Sequence, residues 1–160
     1  MKRSPILILL IALLLPGCGF PRCGEDAPER EVEYGDGEGL TVSSLTYGVY
    51  QILKSSGVPT EIGPEVSKPY FEKKARGLRV HGSPVYFLEF SSQEETDALV
   101  SSISPDGKKV GDKVVSEKGT PHFFRKGKVV AAYFGDREST LEALTLALGP
   151  QFAGGTGKVG

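Results

Sequence analysis

Residues 78–90 read LRVHGSPVYFLEF, and residues 122–134 read HFFRKGKVVAAYF. Each is a pair of β-rich apolar runs around a short polar break, His81-Gly82-Ser83-Pro84 in the first and Arg125-Lys126-Gly127-Lys128 in the second. Strand-forming runs flanking a glycine-bearing break predict a hairpin. A shift of 44 positions lays Val80 on Phe124, Val85 on Val129 and Phe90 on Phe134.

A helix pattern follows each pair. After the first, Ser91 with Glu94, or Ser92 with Glu95, makes a capping box, and Leu99, Val100 and Ile103 share one stripe. After the second, Asp136 is the cap candidate, Leu141, Leu144 and Leu148 point inward, and Gly149-Pro150 stops the helix. The chain therefore reads as a β-β-α unit used twice. The fold expected is α+β, with a four-stranded antiparallel sheet and the two repeat helices on one face.

Upstream, Val42, Leu45, Val49, Ile52 and Leu53 mark a helix over 40–56. Gly57 and Pro59 end it. Residues 58–76 hold Pro59, Pro64 and Pro69 and read as an extended connection. Ser104-Pro105-Asp106-Gly107 is a turn.

The strand faces raise a question of cover. One face carries Tyr86, Leu88, Phe90, Val130, Ala132 and Phe134. The other carries Val85, Phe87, Glu89, Val129, Ala131 and Tyr133, apolar apart from Glu89, whereas a one-sided sheet alternates more cleanly. The helix over 40–56 is the expected cover. Phe87, Ala131 and Tyr133 are otherwise the candidate face for an apolar ligand or a partner.

The N-terminus sets a location. Lys2 and Arg3 precede ten unbroken apolar residues, Ile6 to Leu15. Ten helical residues span ~15 Å, about half a bilayer core, which suits the apolar region of an export signal rather than a membrane span. Leu15-Pro16-Gly17-Cys18 resembles the lipobox of bacterial lipoproteins, with Pro16 departing from the commoner Ser or Ala. The resemblance implies cleavage after Gly17 and acylation of Cys18. Two or three acyl chains, at ~0.8 kcal/mol per methylene, hold a protein on a membrane almost permanently. Gly19, not Asp, follows that cysteine, which would permit an outer-membrane destination in a two-membrane bacterium, or the outer face of the plasma membrane in a one-membrane one. Cys23 is then left without a partner in the chain.

Residues 19–39 carry seven acidic side chains and five glycines without apolar periodicity, which predicts a disordered tether. Its r.m.s. span would be ~25 Å. The expected organisation is a signal peptide over 1–17, the lipidated Cys18 and tether over 18–39, a globular domain over 40–152 and a flexible tail over 153–160.

Chemistry is sparse. The formal net charge is −1, and −3 without Lys2 and Arg3, so nothing favours nucleic acid, which needs a basic face. His81 and His122 lack the further ligands of a zinc site and are expected to hydrogen-bond at strand ends. No G-x-S-x-G elbow occurs. Glu94-Glu95 suits a helix first turn. The tail AGGTGKVG lacks the residues of a phosphate loop. No metal, cofactor or catalytic residue is expected. Lys73, Lys74, Arg76 and Arg79 form one basic cluster; Arg79 with Arg125, Lys126 and Lys128 is the candidate basic patch.

Residues 120–155, TPHFFRKGKVVAAYFGDRESTLEALTLALGPQFAGG, resemble a recurring ending of uncharacterised bacterial secreted proteins and lipoproteins. The resemblance rests on Pro121 to Arg125, on Leu148 to Gly155 and on Asp106-Gly107 after Ser-Pro. It implies an exported domain and assigns no activity. The reading reached is a lipid-anchored, non-catalytic binding or accessory protein of the cell envelope with a protein partner there. A carrier of a small apolar ligand between helix 40–56 and the sheet is the alternative, and an envelope enzyme the third.

Overall fold

The computed structural model describes residues 43–155. The expected signal peptide over 1–17, Cys18 and the expected tether over 18–39 lie outside the described residues, as do residues 40–42 and 156–160. The elements run α1 (Ser44–Ser55), β1 (Thr60–Val66), β2 (Ala75–Val80), β3 (Ser83–Glu89), α2 (Gln93–Ser102), β4 (Lys109–Val110), β5 (Lys113–Val114), β6 (Pro121–Lys126), β7 (Val129–Phe134), α3 (Glu138–Leu148) and β8 (Gln151–Gly154). The fold is α+β, as expected.

Both hairpins form. β2 and β3 are joined by His81-Gly82, each with positive φ (50° and 78°), the combination that matches strand twist in a type I′ turn. β6 and β7 are joined by Gly127-Lys128, with Lys126 opposite Val129. β3 and β7 pair antiparallel, and Phe87 lies opposite Ala131. These two residues are also equivalent under the shift of 44, so a local twofold axis relates the hairpins through that pair.

The sheet has six strands, in the order β1-β2-β3-β7-β6-β8, rather than four. The extra strands are its edges. β1 lies within what reads as a proline-rich connection, over Thr60–Val66. Pro64 sits where the β1–β2 register shifts between Ile62 and Glu65, and an edge-strand irregularity tolerates a residue without an N–H. β8 follows α3 directly and pairs with β6, so Ala153 and Gly154 belong to the sheet and not to a tail. Gly154 must be glycine: its φ is +114°, and a Cβ there would stand 2.0 Å from the Pro121 carbonyl oxygen.

The two repeat helices lie on opposite faces, contrary to the sequence expectation. α1 and α3 cover one face, where Val49, Leu53, Ala143, Leu144, Ala147 and Leu148 pack on Val85, Phe87, Phe124, Val129, Ala131 and Tyr133. On the other face Leu99 and Val100 of α2, with Val110 of β4, pack on Tyr86, Leu88, Phe123, Val130 and Phe134. The hairpins obey the local twofold and the helices break it, because both sheet faces are apolar and either can accept a helix.

Glu89, which interrupts the apolar run of β3 on the α1 face, has a local role. Its Oε1 accepts the Thr46 N–H at 3.1 Å and also the Thr46 hydroxyl. Thr46 is in the first turn of α1, where amides lack intrahelical partners and an anion is favoured.

Candidate functional site

The α2 face is where the cover is incomplete. α2 starts at Ser92, whose hydroxyl accepts the Glu95 N–H at 3.1 Å, while the Glu95 carboxylate accepts the Ser91 N–H at 3.1 Å. This selects Ser92 and Glu95 from the two cap candidates. The helix is short and ends at Ser102. The chain then turns through Ser104–Gly107 into the β4–β5 hairpin, fastened to the helix end by Gly111 N–H to Ser102 O at 2.8 Å. A third wall is the loop before β2. Lys68 Nζ lies 2.7 Å from Glu117 Oε1 and 4.3 Å from the Tyr86 ring centre, and Tyr70 OH donates to the same Glu117 oxygen at 3.1 Å.

Between these walls lies an open cleft of about 640 Å³, inside the ~300–1,000 Å³ range of small-molecule sites. Leu88 of β3, Phe90 just after it, Leu99 of α2 and Val110 of β4 give it an apolar lining, and Tyr70 closes one side. Its rim is charged: Glu72, Lys73, Glu95, Asp112 and Lys113. Lys73 Nζ stands 4.9 Å from the Phe90 ring centre and donates to the Glu89 carbonyl at 2.9 Å. Burial of the Tyr70 phenol, and then the Glu117 carboxylate beside it, push its pKa well above the ordinary tyrosine value. Burial alone would lower the Lys68 pKa, but bonding to Glu117 and Tyr86 outweighs this and raises it.

The residues singled out from sequence fall elsewhere. Phe87, Ala131 and Tyr133 are not an open face: their exposures are 1%, 0% and 1%, under α1 and α3. The space between α1 and the sheet, where the alternative reading places an apolar ligand, is filled by Val49 and Leu53.

The basic patch does not assemble. Arg79 is opposite Pro84 at one end of the sheet. Arg125 is opposite Val130, and Val130 opposite Leu88, toward the other end. Four residues along the strands and three strand spacings across put the two backbones ~20 Å apart. Arg125 instead pairs with Asp97 of α2, and Lys126 Nζ caps the C-terminal end of α3 through the Ala147 carbonyl at 2.7 Å.

His122 is buried, and its Nδ1 lies 2.6 Å from Gln151 Oε1. The Gln151 amide nitrogen donates to the Gly155 carbonyl at 2.7 Å, which leaves Oε1 as acceptor and places the ring proton on Nδ1. His122 Nε2 has no hydrogen-bond partner and lies 4.0 Å from Asp136 Oδ1. The Gly154 N–H donates to the Pro105 carbonyl at 3.0 Å. The three segments that carry the resemblance (Ser104–Gly107, Pro121–Arg125 and Leu148–Gly155) thus meet along the β6–β8 edge, where they fasten the last strand.

Among the described residues no group of three or more His, Cys, Asp or Glu side chains is placed to hold a metal ion, and no helix is long and apolar enough to cross a membrane. Comparison with protein-family models, with curated proteins and with solved structures gives no match to the chain.

Proposed function

We propose that the chain is an envelope lipoprotein whose globular domain binds rather than converts, and that the cleft under α2 is its binding site. The carrying observation is the cleft itself: a floor of buried Leu88, Phe90 and Val110, a wall of half-buried Leu99, and a rim of mixed charge. Mixed rim charges suit an amphiphilic ligand or the apolar side chains of a partner segment. The anchor rests on the lipobox-like Leu15–Cys18.

Two experiments test the two halves. Cys18→Ala is expected to move the protein from the membrane fraction to the soluble fraction, with the mass of the acyl groups lost. Unchanged retention and mass would refute the anchor. For the cleft, the dye 8-anilinonaphthalene-1-sulfonate serves as the apolar probe. Burying one leucine side chain is worth ~1.5–3 kcal/mol, so Leu99→Glu is expected to weaken the dye by about tenfold or more. Equal affinity in a Leu99→Glu protein with native circular dichroism would move the site off the cleft.

A further inference from the structure

The α2 face sets an ammonium against an aromatic ring and a carboxylate twice, once firmly and once loosely. In the loop before β2, Lys68 Nζ is 4.3 Å from the Tyr86 ring centre and 2.7 Å from Glu117, and the two charged side chains are 18% and 24% exposed. Further along the same loop, Lys73 Nζ is 4.9 Å from the Phe90 ring centre and 4.0 Å from Glu95, with exposures of 46% and 52%. A separation of 4.0 Å is beyond hydrogen-bond reach, and this ammonium donates instead to the Glu89 carbonyl.

The loose arrangement stands at the mouth of the apolar cleft, which Lys73, Phe90 and Glu95 all line. Phe90 is buried, and Lys73 is part of its cover. The chain thus seats a cation of its own there, on an exposed side chain with weak contacts. The rim charges favour a cation too. Glu72, Glu95 and Asp112 stand against Lys73 and Lys113. Apart from the long Lys73–Glu95 approach, none of these five is in an ion pair among the described residues. A cation over an aromatic face is drawn by the negative face of the ring. Because Leu88, Phe90 and Val110 are already buried, the tail of a ligand discriminates little, and its head group sets the selectivity.

We propose that the cleft takes amphiphiles with a primary ammonium head, which replaces the Lys73 ammonium between Phe90 and Glu95 while the apolar tail lies along Leu99. This rests on the cleft being a binding site and adds its ligand class. Lys73 is then a resident competitor: it covers Phe90 until the ligand enters, and swings out to solvent on its flexible stem.

Octylammonium and octanoate, equal in chain length and opposite in charge, are the probes, with amide chemical shifts of the full chain as the readout. Octylammonium is expected to bind about fivefold or more tightly than octanoate. Lys73→Met keeps an apolar stem without the charge and is expected to tighten octylammonium about threefold or more. Glu95→Gln keeps an acceptor for the helix cap and is expected to loosen it by a similar factor. Lys113→Met removes a rim charge that is not seated on the Phe90 ring, and its effect is expected to be smaller than that of Lys73→Met. Octanoate binding as tightly as octylammonium would overturn the proposal. So would equal gains from Lys73→Met and Lys113→Met, since rim charge alone would then account for both, or no gain from Lys73→Met. If both probes shift the amides of residues 88–102 and 109–113 without regard to charge, the ammonium assignment falls and the cleft stands as a binding site. If neither shifts them, the cleft reading falls with it.

Discussion

The two faces of the sheet are built from the same alternating strands and differ in what covers them. On one, α1 and α3 together put Leu53, Leu144 and Ala147 at zero exposure, and the face is closed. On the other, a ten-residue helix, a two-strand hairpin and a braced loop share the cover, and they leave a cleft over Phe90. Two apolar faces on one sheet do not carry two equal roles. A pair of helices closes one face, and three smaller pieces leave a cleft on the other.

The contrast can be broken by substitution. The largest effect is expected from Leu53→Ala on the closed face, ~2–5 kcal/mol of lost stability in urea unfolding, since a fully buried leucine leaves a cavity its neighbours cannot fill. Leu99→Ala, on the wall of a space already open, is expected to cost about 1 kcal/mol or less, because there is little packing to lose. Comparable losses at the two sites would mean that the faces are equally packed.

A smaller effect separates the faces by pH. Tyr70 and Lys68 brace only the cleft side, and both keep their protons to higher pH when folded. The unfolded chain loses those protons first, from its ordinary values of 10.0 and 10.5. It therefore binds fewer protons than the folded chain above about pH 10, and stability falls as pH rises. Tyr70→Phe is expected to flatten that alkaline limb while lowering stability at neutral pH, through loss of the bond to Glu117. An alkaline limb identical to the parent's would remove Tyr70 from the account.

Much of the frame was legible in the sequence. Turn glycines between β-rich runs marked both hairpins, three-and-four spacing marked the helices, and the shift of 44 related the two hairpins. The edge strands were hidden for local reasons. Pro64 and Gly63 sit at an irregularity in β1, and β8 has only four residues, two of them bulky enough to read as more than a tail. The side taken by α3 was not legible, because Val85 and Tyr86 begin two apolar faces of equal claim and only tertiary packing chooses between them. The cleft was least legible of all. Tyr70, Phe90, Leu99 and Val110 come from four separate segments, and each alone reads as an ordinary core residue. Phe87, Ala131 and Tyr133 stood out because one helix was in view to cover their face, and the cover is two helices, α1 and α3.

The most direct test is the place where an apolar probe lands on the full chain. Amide chemical shifts would be followed by nuclear magnetic resonance while 8-anilinonaphthalene-1-sulfonate is added. The account predicts that the perturbed amides gather in residues 88–102 and 109–113, around Phe90, Leu99 and Val110. Perturbations gathered instead in α1 and α3, around Leu53 and Leu144, would contradict it.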